Sequence, residues 1–180
     1  MASVQPFNRN SAGGARYRAP LTLAALATLY LFDAAVMGQG FVAAALLTIV
    51  ALGLLPRWFV LRHIGAVTWP TARLAVMLTT CAIAIMATIN FNNSLARARG
   101  EALVTAISHY RAVAGRYPHV LDDLVPTYIE AVPRAKYTLS FNRFDYISRG
   151  DRVILAYADT PPFGRSFYDF EHRRWRAPAP

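Results

Sequence analysis

The fold class predicted by this sequence is a membrane-anchored α+β protein. Three transmembrane helices come first, then a long helix packed on a small antiparallel sheet. Three observations lead there. The 180-residue chain is 55% hydrophobic, yet its charge is unevenly placed: before Phe91 there is one acid, Asp33, against six arginines, and from Phe91 onward nine acids and thirteen bases. Three apolar runs fill the acid-poor half. After them the apolar period changes from helical spacing to alternation.

The apolar runs are Leu21–Met37, Phe41–Leu61 and Leu74–Phe91. A helix needs about 20 residues to cross a bilayer core, so the first and third are short spans. The second is long enough if Arg57 snorkels to the interface beside Trp58. Gly38-Gln39-Gly40 is a tight link that makes the first two a helical hairpin. Arg9, Arg16 and Arg18 resemble the basic start of a signal peptide. However, Asp33 interrupts the apolar stretch and a second run follows at once, so retention is expected. Arginines before the first span and around the second loop (Arg57, Arg62, Arg73) place both on the cytoplasmic side. The expected division is a basic cytoplasmic tail over 1–20, a three-helix membrane region over 21–91 and a periplasmic domain over 92–180.

Two polar groups in the membrane half stand out. Asp33 is the one carboxylate there, and a charge at the centre of a span costs ~2.5–3.5 kcal/mol. It lies about a turn from Met37, so an interfacial position, a partner contact, or hydrogen bonds from Gln39 or Asn90 are expected in preference to ion transport. Cys81 sits alone in an apolar run and reads as a packing residue.

Beyond Asn92 the third span is expected to continue as a helix whose apolar face carries Leu95, Leu103, Ile107, Tyr110 and Ala114. Gly115 is suited to the C′ position, and Pro118 ends the helix. Tyr117, held extended before proline, is placed to fold back on the helix. Val120–Val125 reads as a short helical turn with Asp122 and Asp123 near its start, ended by Pro126. Lys136–Phe141, Phe144–Ile147, Val153–Tyr157, Ser166–Phe170 and Arg173–Arg176 are the candidate strands, three or four of them expected to pair. Below ~90 residues such a core is thin, and aromatic side chains carry much of it.

The order of punctuation in this half has a precedent. Gly115, Tyr117 and Pro118 form a G-x-Y-P turn; Leu121, Leu124 and Pro126 form an L-x-x-L-v-P step; Tyr128 and Pro133 follow. This series resembles the soluble head of the bacterial pseudopilins, above all the major pseudopilin of type II secretion, and of type IV pilin-like proteins. The resemblance covers about Leu95 to Trp175 and implies a helix leading into a small antiparallel sheet. It also implies that these residues are a structural motif. In that family a leader glycine precedes a Phe-rich helix with glutamate at its fifth position. Here Gly40-Phe41 is the nearest candidate and Ala45 stands at the glutamate position, so processing is not expected. The family's calcium sites lie in the late loops. Asp159, Asp169 and Glu171 stand there beside Arg165, Arg173 and Arg174, and are expected to be salt-bridge partners instead.

No nucleophile–base pair, P-loop or zinc-ligand cluster is legible, and His63, His109, His119 and His172 are far apart in sequence. The net charge of +9 forms no basic stripe, which argues against nucleic acid. The expectation is a non-catalytic bacterial inner-membrane protein without cofactor or metal. It would present a pseudopilin-like periplasmic head to other envelope proteins, as a secretion or pilus accessory would. The alternatives are a transport- or channel-associated subunit that uses Asp33, and a periplasmic ligand-binding module with its site under Pro161-Pro162-Phe163-Gly164.

Overall fold

The computed structural model describes residues 10–150, 152–159 and 164–176. Helix α1 spans Asn10–Leu31 and widens into a π-helical turn over Phe32–Met37. After Gly38-Gln39-Gly40 the chain returns through α2 (Phe41–Ile49), a second π turn (Val50–Leu54) and α3 (Leu55–His63), which run on as one 23-residue helical stretch. Pro56 accounts for the second widening. It has no N–H for the carbonyl four residues back, and the helix loosens just before it. Helix α4 then runs unbroken over 46 residues, Trp69–Ala114. Among the described residues three helices are therefore long and apolar enough to cross a membrane, and the third is also the long helix of the head.

Two apolar cores lie along α4. At its N-terminal half Leu78, Ala82, Ile85 and Ile89 pack against Ala43, Leu46 and Val50 of the returning stretch. Further on, Ala96, Leu103, Val104, Ala106 and Ile107 face the sheet and the loops of the head. Of the expected apolar face, Leu103 and Ile107 are fully buried, while Ala114 is exposed.

The sheet is an antiparallel meander in the order β1 (Asp145–Arg149), β2 (Arg152–Ala158), β3 (Arg165–Asp169), β4 (Arg174–Arg176). Tyr146, Leu155, Tyr168 and Trp175 are register partners in one cross-strand row. Leu155 and Tyr168 are buried there in the core shared with α4. Gly100 marks the closest approach: a Cβ on it would lie 2.7 Å from the Trp175 ring. Glycine lets helix and sheet meet without displacing that ring.

One expected strand is absent. Lys136–Phe141 alternates like a strand but forms a loop, and Phe141 takes a left-handed φ of 56°. Its amides are committed elsewhere, as described next.

A candidate functional site at the hairpin turn

The turn between the first two helices is a concentration of buried polar groups. A helix end leaves its first N–H groups and last carbonyls without partners, and in an apolar setting each must be satisfied by protein. Asp33 meets the first need. Its Oδ1 accepts from the Gly40 N–H at 2.9 Å, and its Oδ2 from the Val42 and Ala43 N–H groups at 2.9 and 3.4 Å. The carboxylate, fully buried, thus caps the N-terminus of α2, where the helix dipole favours an anion. Gly38 and Gly40 adopt φ of 62° and 75°, a left-handed geometry that turns the chain back within reach of the acid.

The head meets the second need. The Leu139 N–H donates to the Ala35 carbonyl at 2.8 Å and the Ser140 N–H to that of Val36 at 3.0 Å. Here the amides of the expected strand are used: they cap the end of the first helical run instead of joining the sheet. The approach is close, since a Cβ on Gly38 would lie 2.9 Å from Thr138 Cγ2.

Helix α4 holds the same loop from the other side. The Tyr137 N–H donates to Asn92 Oδ1 at 3.1 Å, and the Lys136 ammonium donates to Asn93 Oδ1. Asp33, Gln39, Asn92, Lys136 and Thr138 are all buried. Lys136, the only lysine in the sequence, is 2% exposed. Burial pushes its pKa down to about 8, with Asp159 pulling the other way.

The structure gives Asp33 three backbone amides as partners, and one expected partner, Asn90, is not at the junction. Asn90 is exposed, and Asn92 and Asn93 are the asparagines that serve the junction. Sequence reasoning missed Asn92, Asn93, Lys136 and Thr138. A signal existed: two polar residues directly after an apolar run, and a lone lysine amid apolar and small residues.

The structural motif lies at the far end of α4. Gly115 is left-handed at φ 69° and its N–H closes on the Arg111 carbonyl at 2.9 Å. Tyr117 is buried with its ring edge on Phe170, and its hydroxyl accepts from Arg111 at 2.7 Å. Pro118 is buried and its carbonyl accepts from the Tyr146 hydroxyl at 2.8 Å. Burial pushes the Tyr146 pKa up to about 12. Leu121 and Leu124 bracket a 3-10 turn, with Leu124 fully buried. Asp123 Oδ2 accepts the His119 and Val120 amides at 2.8 and 3.2 Å and so opens that turn. Tyr128 stands between His109 and Tyr110, at ring separations of 5.2 and 5.5 Å. Pro126 is exposed and Pro133 half-buried. These residues shape the head and do not converge on one point.

Two of the late acids, Asp159 and Asp169, have partners in the structure. Asp169 Oδ1 accepts the Glu171 and His172 amides, and its Oδ2 pairs with His172 and Arg176, both at 2.9 Å. Arg165 pairs with Asp145 at 3.0 Å, and Asp159 accepts from the Ser166 hydroxyl. The proposed ligand loop falls largely on residues 160–163, outside the described residues.

The comparisons add no relative: no family model, curated protein or solved structure matches the chain.

Proposed function

We propose that this chain is a non-catalytic bacterial inner-membrane protein that crosses the bilayer three times. In this reading the N-terminus is cytoplasmic, and a pseudopilin-like head stands in the periplasm for contact with other envelope proteins. The observation that carries the protein-contact part is an apolar pair on the outer face of the sheet. Ile147 and Ile154 are direct register partners, 49% and 45% exposed, among Asp145, Arg149, Arg152 and Arg165. An apolar centre within a charged rim is the composition of a modest protein interface. The junction supports the same reading, because a head bonded to two helices presents that face in a fixed pose.

The transport alternative is weaker. A carboxylate already accepting from three amides is a structural cap, whereas a carrier group must exchange partners.

The test has two arms. A reporter active only in the periplasm should work after Pro180 and be silent near His63; the opposite pattern would reverse the orientation. A photo-crosslinking residue at Ile154 should capture a secretion or pilus component in cells. Capture of lipid alone, or of nothing, would remove the protein-contact reading while leaving the topology standing.

A further inference from the structure

We propose that the head has a second contact with the bilayer: the Tyr137–Phe141 loop lies in the headgroup layer of the phospholipid leaflet on its own side, with Leu139 entering the hydrocarbon edge. This inference rests on the proposed crossing of the three helices and adds a contact that the crossing does not require.

Depth is the first argument. The carbonyls that accept from Leu139 and Ser140 belong to Ala35 and Val36, inside the apolar stretch Pro20–Met37. The loop is therefore pinned beside the last turn of that span, level with apolar side chains. On α4 it is held by Asn92, next to Phe91, which is 63% exposed. Two separate helices thus give the loop one depth.

Exposure is the second argument. Tyr137, Leu139 and Phe141 are 66%, 76% and 41% exposed. A leucine so exposed is unremarkable on a water-facing loop, but hydrogen bonds hold this one at the level where the spans meet lipid. Tyrosine favours the layer between water and hydrocarbon, which satisfies both its ring and its hydroxyl.

The third argument is charge. The Arg99 guanidinium stacks over the Tyr137 ring at 4.5 Å and donates to its hydroxyl at 2.6 Å and to the Arg134 carbonyl at 2.9 Å. A guanidinium beside a phenol, immediately above an apolar loop tip, matches a phosphate layer over acyl chains.

The test uses the full chain with Cys81→Ser and one new cysteine, labelled with nitrobenzoxadiazole and reconstituted into phosphatidylethanolamine–phosphatidylglycerol vesicles. Labels go at Leu139→Cys, at Ile83→Cys on the lipid-facing side of α4, and at Ile154→Cys on the outer face of the sheet. The label at 139 should emit to the blue of the one at 154 and lose most of its fluorescence to lipids with a nitroxide near the headgroup. The label at 83 should be quenched by nitroxides deep in the acyl chain. If 83 is quenched but 139 behaves like 154, the loop faces water and this inference fails alone. If 83 is not quenched either, the crossing itself fails and the loop contact with it. Leu139 makes its fold-defining bonds through its backbone, so its replacement leaves the junction intact.

Discussion

The two halves of α4 carry the same buried stripe and opposite outer faces. Toward the N-terminus Leu78, Ala82, Ile85 and Ile89 are covered, while Val76, Ile83 and Phe91 are exposed. Further along Leu103 and Ile107 are covered, while Arg97, Glu101 and Thr105 are exposed. The buried face follows helical geometry in both places, while the outward face changes from apolar to charged. The partners differ as well. The first half packs mainly on aliphatic and small side chains of the returning helix, with Leu26 and Tyr30 of α1 at the edge, and the second meets an aromatic sheet. Between them lies the one zone, among the described residues, where polar groups are buried in number. There two helix ends would have unpaired backbone groups, and Asp33 and the 136–140 loop supply the partners.

The largest expected effect lies in the aromatic half. Tyr117→Ala removes a buried ring that touches Phe170 and Arg111. Truncating such a residue costs about 3–5 kcal/mol, comparable with the whole stability of a small domain. The near-ultraviolet dichroism of the head should collapse. The helical signal from the first half of α4 should persist, because its packing does not involve the sheet. Loss of both signals together would show that the two halves fold as one unit.

The polar zone should respond next most strongly. Asp33→Ala leaves three amides at the start of α2, those of Gly40, Val42 and Ala43, without their acceptor, at about 1–3 kcal/mol for an unsatisfied buried group. Asp33→Asn keeps an acceptor oxygen and should lose less, as thermal unfolding in detergent would measure. Equal losses would show that the charge, and not the cap geometry, is what the site needs.

Gly100→Ala sets two effects against each other. Alanine gains about 1 kcal/mol in helix propensity over glycine. Its Cβ, however, would lie 2.7 Å from the Trp175 ring, and overpacking costs about 1–3 kcal/mol. Trp175 is also held by a 2.7 Å bond to Glu101 and by Arg97 over its ring, so it cannot move away freely. A net loss is expected, with red-shifted tryptophan emission. A rise in melting temperature would mean the seam is looser than the geometry indicates.

Much of this plan was legible from pattern. The three apolar runs, the helix continuing past Asn92, its end at Gly115 and the strands around Val153–Tyr157 and Ser166–Phe170 each follow from spacing or from a steric property of one residue. Lys136–Phe141 departs from its pattern for a physical reason. Alternation reports a segment with two different sides, and a loop pressed against helix ends has that property without a ladder. Asp33 stood out by its chemistry, yet its partners did not. Backbone amides carry no sequence signature, so a capping carboxylate looks the same as a functional one. The register that brings Lys136 to Asn93 spans 43 residues, and nothing local encodes it.

Lys136 should give the polar zone a pH signature. Its folded pKa of about 8 lies below the ordinary lysine value of 10.5, so folding favours the neutral amine. The unfolded chain then holds more protons between these values, and stability should rise as pH increases from about 8 toward 10. Above that Tyr146 acts in the opposite direction, since its folded pKa of about 12 exceeds its unfolded 10 and the unfolded state ionises first. Lys136→Met should flatten the rise and spare the fall. An unchanged rise in that variant would assign it to another group.

The smallest expected effect concerns metal. Asp169, Glu171 and His172 bring ligand atoms within 4.8 Å of one another, enough to invite a cation. Calcium needs six to eight oxygens, and this set offers two carboxylates and an imidazole. Asp169 is already engaged: its Oδ1 accepts two turn amides, its Oδ2 faces Arg176 at 2.9 Å, and the His172 amide first, then the His172 ring and Arg176, hold its pKa below the usual carboxylate value. A cation would have to displace that guanidinium while competing with the turn. Adding calcium or a chelator should therefore leave the melting temperature of the full chain unchanged. Asp169→Asn should lower it equally in either condition, because what is lost is the β3–β4 turn. A calcium-dependent rise that Asp169→Asn abolishes would instead make this turn a metal site, and the aromatic half of α4 would then owe part of its stability to an ion.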